Sequence, residues 1–261
     1  MDLKIDSAIT LNNKVMMPRL GLGVYGIAPG QDTIEAVSWA LQAGYRHIDT
    51  ARFYRNEISV GKAIRDSGID RAEIWVTTKL FPSDYWRAEK AYETSLTKLG
   101  LDYIDLYLVH FPIPGTIKHV WKKMEAIYKS GKVKAIGVSN YNVSQLKHTL
   151  SVAALPPSVN QMRCSVFGYD KKVYELCQQE DVAFEAYSPL TRGKQLNNVG
   201  LTNIAEKYNK STAQILLRWA LQKNMVVIPK SQHQNRIIEN ANIFNFVINK
   251  PDMRTLDTFS S

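Results

Sequence analysis

The stretch 74-IWVTTKLFPSDYWRAEKAYETSLTKLGLDYIDLYLVH-110 decides how the rest of the chain is read. Two apolar runs rich in β-formers, Ile74–Thr78 and Ile104–Val109, bracket a segment whose apolar residues Ala88, Ala91, Tyr92, Leu96 and Leu99 recur at helical spacing. That recurrence is one stripe of an amphipathic helix, with Ser83 or Asp84 as the expected N-cap and Gly100 as the stop. Both flanking strands are apolar without alternation, as strands covered on two faces are, so the unit predicts parallel pairing across a helical crossover.

Outward from this unit the alternation continues in both directions. Strands are predicted at Arg19–Gly23 and Arg46–Ile48 before it, and at Lys134–Val138, Ser158–Asn160, Ala183–Ala186 and Val226–Ile228 after it. Helical stripes lie between them. One carries Ile34, Val37, Ala40 and Leu41 and stops at Gly44; another carries Val120, Trp121, Met124, Ile127 and Tyr128 and stops at Gly131. Further stripes fall at Val143, Leu146 and Leu150 and at Val173 and Leu176, with room for two helices near 201–208 and 212–222. Eight strand–helix units predict an α/β fold closed into a (β/α)8 TIM barrel with extra helices.

The opening 8-AITLNNKVMMP-18 predicts an N-terminal β-hairpin turning at Asn12-Asn13, since Asn tolerates positive φ. Residues 21-GLGVYG-26 can be written GxGxxG, the mark of an open doubly wound sheet. Pro29 and Gly30 interrupt the helix that motif requires, so the barrel is preferred. No linker or low-complexity stretch divides the sequence, and one domain over residues 1–261 is expected.

Composition narrows the function. The 261 residues are 45% hydrophobic and 22% charged, as in ordinary globular proteins. No apolar run reaches ~18 residues, so no membrane partner is expected. No leader pattern is visible, and Cys164 and Cys177 sit in no CxxC or metal spacing, so a reducing, cytoplasmic setting is expected. The net charge of +9 is dispersed and accompanied by no nucleic-acid motif. Read as a solvated basic surface, it predicts no nucleic-acid partner, while a phosphate-bearing ligand would favour the same field.

The chemistry gathers at the strand ends. The successive runs close on HIDTARFY (47–54), TTK (77–79), LVH (108–110), VSN (138–140), VNQ (159–161), AYS (186–188) and IPKS (228–231). In a β/α barrel these ends meet at one mouth, where active sites are built. Taken singly, Asp49 reads as a loop cap, Tyr54 as packing, Lys79 as a solvated charge and His110 as a core histidine. Together they fit carbonyl reduction. A tyrosine could donate the proton if an adjacent ammonium, Lys79, lowers its pKa. Asp49 would hold that lysine, and His110 would orient the substrate oxygen.

The stretches GYRHIDTARFYRNE, TTKL, LGLDYIDLYLVHFP, GKVKAIGVSN, VNQ, AYSPL and IPKSQHQNRIIENA, in this order between about residues 15 and 245, resemble the aldo-keto reductase family. The resemblance implies NADPH as cofactor, a small-molecule carbonyl as substrate and a monomer. It places the family's catalytic four on Asp49, Tyr54, Lys79 and His110. It also places Ser139, Asn140 and Gln161 on the nicotinamide carboxamide, Tyr187 stacked on the ring, and Ser188 and Leu190 at the pyrophosphate. Lys230, Ser231, Arg236, Glu239 and Asn240 fall at the adenosine end, where a guanidinium fork suits a 2′-phosphate. Val24, Tyr25, Tyr54, Trp86, His110 and Phe111 are the expected pocket walls.

Three departures stand out. Phe111 replaces a frequent Trp. The segment 162-MRCSVFGYD-170 lacks the family's acidic residue and His-Pro pair. The tail after Asn249 is short, which predicts an open mouth with weak selectivity. Two other readings compete with this one. A metal-dependent hydrolase would use His47-x-Asp49, but only five histidines exist and a zinc site needs three or four convergent ligands, so no metal is expected. A barrel that binds cofactor in a regulatory or structural role without turnover is the second.

Overall fold

The computed structural model describes residues 3–260, so the outermost positions of the expected 1–261 unit lie outside the described residues. A two-stranded antiparallel hairpin comes first, β1 (Ala8–Thr10) and β2 (Met16–Pro18). Eight parallel strands follow: β3 (Leu22–Gly23), β4 (His47–Asp49), β5 (Trp75–Leu80), β6 (Ile104–Val109), β7 (Val133–Ser139), β8 (Val159–Arg163), β9 (Ala183–Tyr187) and β10 (Val226–Ile228). They pair in chain order from β3 to β10. The barrel closes between its ends: Leu20 bridges Val227, Gly21 N–H donates to Val227 O at 2.9 Å, and Val227 N–H donates to Arg19 O at 2.9 Å. The expected (β/α)8 TIM barrel with an N-terminal hairpin is the fold found.

Helices α1 (Gln31–Gln42), α2 (Glu57–Asp66), α3 (Ala88–Leu99), α4 (Ile117–Lys129), α5 (Val143–Val152) and α6 (Lys171–Gln179) fill the successive crossovers. The last crossover holds both α7 (Val199–Lys207) and α8 (Thr212–Gln222), and α9 (Gln234–Ala241) and α10 (Lys250–Asp257) close the chain. Strand alternation sorts the core. Leu106 and Leu108 of β6 point into the barrel, whereas Tyr107 and Val109 pack outward under the helices.

The hairpin seals the end of the barrel opposite the mouth, where Leu11 and Met17 join Trp75, Leu106, Val159, Ala183 and Val226 in one buried cluster. Here the expected turn chemistry is corrected. The left-handed residue is Lys14, with φ 69°, and not either Asn. The two asparagines serve as anchors: Asn12 Nδ2 donates to Pro157 O at 3.0 Å, Asn13 Nδ2 donates to Lys134 O at 2.8 Å, and Ser158 Oγ donates to Asn12 Oδ1 at 2.8 Å.

Other expectations shift by a few residues. β5, β8 and β9 run on through Lys79, Arg163 and Tyr187, so several site residues lie within strands and not after them. Helix α3 is not capped by Ser83 or Asp84. Residues Pro82–Arg87 form a 3-10 turn, and the N-cap position is Arg87, with no side-chain cap. Gly100 does stop α3, in the left-handed region at φ 62°. Helix α2 was not singled out from the sequence. Its short stripe surrounds Gly61, which lets α2 lie against the end of α3: a Cβ there would overlap the Leu99 carbonyl. Gly61→Ala is therefore expected to destabilise the fold by about 2 kcal/mol or more, read as a lower urea midpoint at unchanged slope.

Candidate active site

At the mouth, β4 ends on Asp49 and β5 carries Lys79 two positions beyond Thr77, the residue paired with Asp49. Lys79 Nζ donates to Asp49 Oδ1 at 2.6 Å and Oδ2 at 2.8 Å, to Thr50 O at 2.9 Å, and to Tyr54 Oη at 3.3 Å. Both members of the pair are buried. Burial works against the ammonium, yet the charge and hydrogen bond of Asp49, with Tyr54 and Glu185 acting through space, outweigh it and raise Lys79 above its ordinary value, so the amine stays charged. Burial likewise pushes the Asp49 carboxyl up, opposed by Lys79 and by Gln161.

Tyr54 comes from a single 3-10 turn, Arg52–Tyr54, that ends on left-handed Arg55 at φ 62°. Neighbours fix that turn. Arg52 pairs with the buried Asp84, which also takes Arg87 Nε at 3.0 Å. Asn56, fully buried, accepts from Thr50 Oγ1 at 2.8 Å and donates to Val24 O at 3.0 Å. Spacing marks out neither Arg52 nor Asn56, and Asp84 is expected only as a helix N-cap. Arg52 and Asn56 both lie within GYRHIDTARFYRNE, but nothing in spacing separates a buried, fully bonded Asn from a loop Asn.

The expected pKa of Tyr54 needs correction. Lys79 does pull it down, but burial dominates and the phenol is pushed up to about 12. It is therefore fully protonated near neutrality, and Lys79 assists by favouring the negative charge that forms as the proton leaves. His110, just past β6, lies with its ring 5.8 Å from that of Tyr54, stacked on Phe111 at 4.6 Å and edge-on to Phe53 and Phe81. Burial, helped by Lys79, lowers His110 to about 3, so the ring is neutral, and its buried Nδ1 has no hydrogen-bond partner among the described residues.

The other side of the mouth is a polar ladder. Ser139 Oγ donates to Gln161 O at 3.0 Å, Asn140 Nδ2 donates to His110 O at 3.0 Å, and Tyr187 Oη donates to Asn140 Oδ1 at 2.8 Å. Asn140 and Ser188 are left-handed, at φ 64° and 53°, and Leu190 packs on the core. Gln161 spends its amide hydrogens inside the barrel, on Asp49 and Glu185.

Lys230 and Ser231 lead into α9, whose first turn presents an exposed Arg236. Glu239 is half-buried and Asn240 buried further along the same helix. Tyr25 is exposed with its ring 5.0 Å from that of Tyr54, and Trp86 is exposed against His119 at 4.5 Å. Val24, expected as a pocket wall, is instead wholly buried in the core, and its backbone N–H donates to Asp49 O at 3.0 Å. The segment 162–170 folds as a tight turn in which Ser165 and Gly168 pair, with Phe167 stacked on Phe259 of the tail. The tail itself docks on α7 and α8 through Lys207–Asp252 and Lys223–Asp257. His47 is buried beside Thr77, and among the described residues no three His, Cys, Asp or Glu side chains are grouped to hold a metal ion.

Comparison with known proteins agrees with this geometry. The pattern of the Aldo/keto reductase family matches residues 19–261. A glyoxal reductase of Bacillus subtilis (strain 168) is 43% identical, covering 100% of this chain and 95% of its own. A 9,11-endoperoxide prostaglandin H2 reductase of Trypanosoma cruzi (strain CL Brener) is 44% identical over 96% of this chain and 90% of its own. The crystal structure of an aldo/keto reductase from Brucella melitensis superposes with a TM-score of 0.93 at 43% identity, covering 97% of this chain and 99% of that one. The chain belongs to the aldo-keto reductase family of oxidoreductases.

The buried ion pair makes a sharp test. Lys79→Met alone should cost about 3–5 kcal/mol, because it strands the Asp49 charge. Lys79→Met combined with Asp49→Leu should cost less than the single change, measured as urea unfolding of the two variants side by side.

Proposed function

We propose that this chain reduces small aldehydes or ketones to alcohols with NADPH, with Tyr54 as the proton donor. The observation that carries the reading is one ammonium, Lys79 Nζ, bonded at once to Asp49 and to Tyr54 Oη where the barrel opens.

A bound NADPH would supply the hydride. Everything else falls to the side chains. Tyr54 holds a proton on Oη near neutrality and gives it to the developing alkoxide, while Lys79 stabilises the phenolate left behind. His110 is neutral, so it can donate one hydrogen bond to the carbonyl oxygen without competing for the proton. Phe53, Phe81 and Phe111 pack around that ring and give the mouth an apolar wall.

The residues present suit the dinucleotide. Ser139 and Asn140 offer hydroxyl and amide groups, and Gln161 its carbonyl oxygen, beside Tyr187, whose half-buried ring can stack on a nicotinamide. Ser188 and Leu190 lie on the loop that follows, at the pyrophosphate position. The N-terminus of α9 has no side-chain cap, and Lys230, Ser231 and Arg236 stand around it. Free N–H groups with cations at hand favour a phosphate, and Glu239 and Asn240 on the same helix remain for the adenine end.

The relatives act, by name, on glyoxal and on a prostaglandin endoperoxide, substrates too unlike each other to single one out. A monomer in a reducing cytoplasm fits the buried free thiols of Cys164 and Cys177. The alternative of a cofactor-binding barrel without turnover is separated by an assay with NADPH and an aromatic aldehyde, in which a binder would quench cofactor fluorescence and consume none.

Tyr54→Phe should bind NADPH normally and lose about 10² or more in kcat; near-normal turnover at unchanged cofactor affinity would refute the donor role. The unaltered protein should prefer NADPH to NADH, and Arg236→Ala should weaken NADPH binding with little effect on NADH, read from fluorescence titration of both.

A further inference from the structure

Beneath the four residues of the reaction lies a second buried carboxyl that the reaction does not use. Glu185 sits in β9, in register with Gln161 of β8 and Val226 of β10, and is fully buried. Gln161 Nε2 donates to Glu185 Oε2 at 2.9 Å and to Asp49 Oδ2 at 2.8 Å. One amide therefore ties the carboxylate that holds Lys79 to a further acid. The ammonium acts on it only through space: an ammonium has three hydrogens, and those of Lys79 are directed at Asp49, Thr50 and Tyr54.

The other oxygen, Glu185 Oε1, has no hydrogen-bond partner among the described residues and lies 3.6 Å from His47 Nε2. What Nε2 presents follows from Thr77. The Thr77 hydroxyl accepts from Trp75 Nε1 at 3.2 Å and can give its own hydrogen to His47 Nε2 at 3.1 Å. Nε2 is then an acceptor, with the ring proton on Nδ1. Burial keeps the ring neutral, lowering it to about 3. Such a nitrogen has no hydrogen to offer, so an ionised Oε1 would stand there buried and without a donor.

The groups that face Glu185 divide, with burial and the Asp49 charge favouring the acid over the pull of Lys79 and of the Gln161 hydrogen bond. From β4 come neutral His47 and anionic Asp49, from β5 the already paired Lys79, from β8 the uncharged Gln161 amide, and the β10 neighbour Val226 has nothing to ionise. Two carboxylates beside one ammonium would leave an uncompensated charge in a low-dielectric interior, which folding penalises heavily.

We propose that Glu185 is a neutral carboxylic acid in the working enzyme and a positioning residue for Tyr54: through Gln161 it holds Asp49 on Lys79, and losing its proton places a second anion under the ammonium and weakens that ammonium's help to the phenol. The turnover part rests on the reductase reading above. The change is a proton passing to solvent, with no covalent step.

Burial, reinforced by the Asp49 charge and opposed by the Gln161 hydrogen bond and the Lys79 charge, raises this carboxyl to about 8. A folded-state value raised above the ordinary 4.5 means that the stability it contributes is complete below the ordinary value and lost as pH rises through about 8.

Glu185→Gln is a permanent mimic of the protonated acid. Its carbonyl can still accept from Gln161, and it carries no charge at any pH. An infrared difference spectrum of resting wild type minus Glu185→Gln should show the carbonyl stretch of a protonated carboxylic acid at neutral pH, shifted in heavy water and fading as pH passes about 8. Wild-type kcat should fall about tenfold over the same alkaline range, while the variant, scaled to its own neutral value, stays level until Tyr54 itself titrates. Should the variant fail to fold, wild-type protein labelled at its glutamate carboxyls gives the same titration by NMR.

No acid band at neutral pH, or the same alkaline fall in both proteins, overturns this inference and leaves the reductase reading standing. An acid band in a protein that consumes no NADPH with any carbonyl overturns the reductase reading and the positioning role with it.

Discussion

The Lys79–Asp49 ion pair sets the terms for the rest of the molecule. Taking two charges out of water costs several kcal/mol per ion unless geometry and further hydrogen bonds offset it. Here the offset comes from both carboxylate oxygens, the Thr50 carbonyl and the Gln161 amide. Those partners sit on β4, β5, β8 and the loop after β4. They converge only if β4 pairs β5 with Asp49 opposite Thr77 and the barrel is closed enough to bring β8 across. Strand register and site chemistry are thus one constraint, since a slip of one residue would turn Lys79 outward among the helices.

From the closed end to the mouth the barrel interior passes through distinct layers. The hairpin and the starts of the strands form an apolar floor around Met17, Trp75 and Leu106. Above it lies a polar stratum of His47, Thr77, Gln161, Glu185, Asp49 and Lys79, wholly enclosed. At the rim stand exposed aromatic side chains, Tyr25, Phe53, Trp86 and Phe111. The floor keeps water from the polar stratum, and in that dry setting the field of one ammonium acts strongly on the Tyr54 phenol. Exposed apolar residues gathered at a rim mark a surface that meets a partly apolar ligand.

Tyr54 itself is carried by a loop, and a loop alone would leave the phenol poorly placed. Side chains from three directions correct this. Asp84 draws Arg52 toward the turn after β5, Asn56 links the loops after β3 and β4, and Glu57 accepts from Thr78 Oγ1 at 2.8 Å at the start of α2. The result is a rigid scaffold with a short braced loop, the usual division of labour in β/α barrels.

Much of this was legible in the chain alone. Apolar runs such as Ile104–Val109 and stripes such as Ala88, Ala91, Tyr92 and Leu99 record burial directly, because burial selects for them at every turn or strand. The order of polar residues at the strand ends named the four that meet at the mouth. What stayed hidden depended on contacts between distant segments. The role of Asn12 and Asn13 as anchors needs Pro157 and Lys134, more than a hundred residues away. Whether the phenol's pKa falls beside Lys79 or rises with burial is a balance of opposing effects that spacing cannot weigh, and burial wins. Glu185 in AFEAY looks like any charged residue in a strand until β8 and β4 close around it. Periodicity is a local property and can be read locally, whereas desolvation and hydrogen-bond partnership belong to the packed whole, and only tertiary structure decided them.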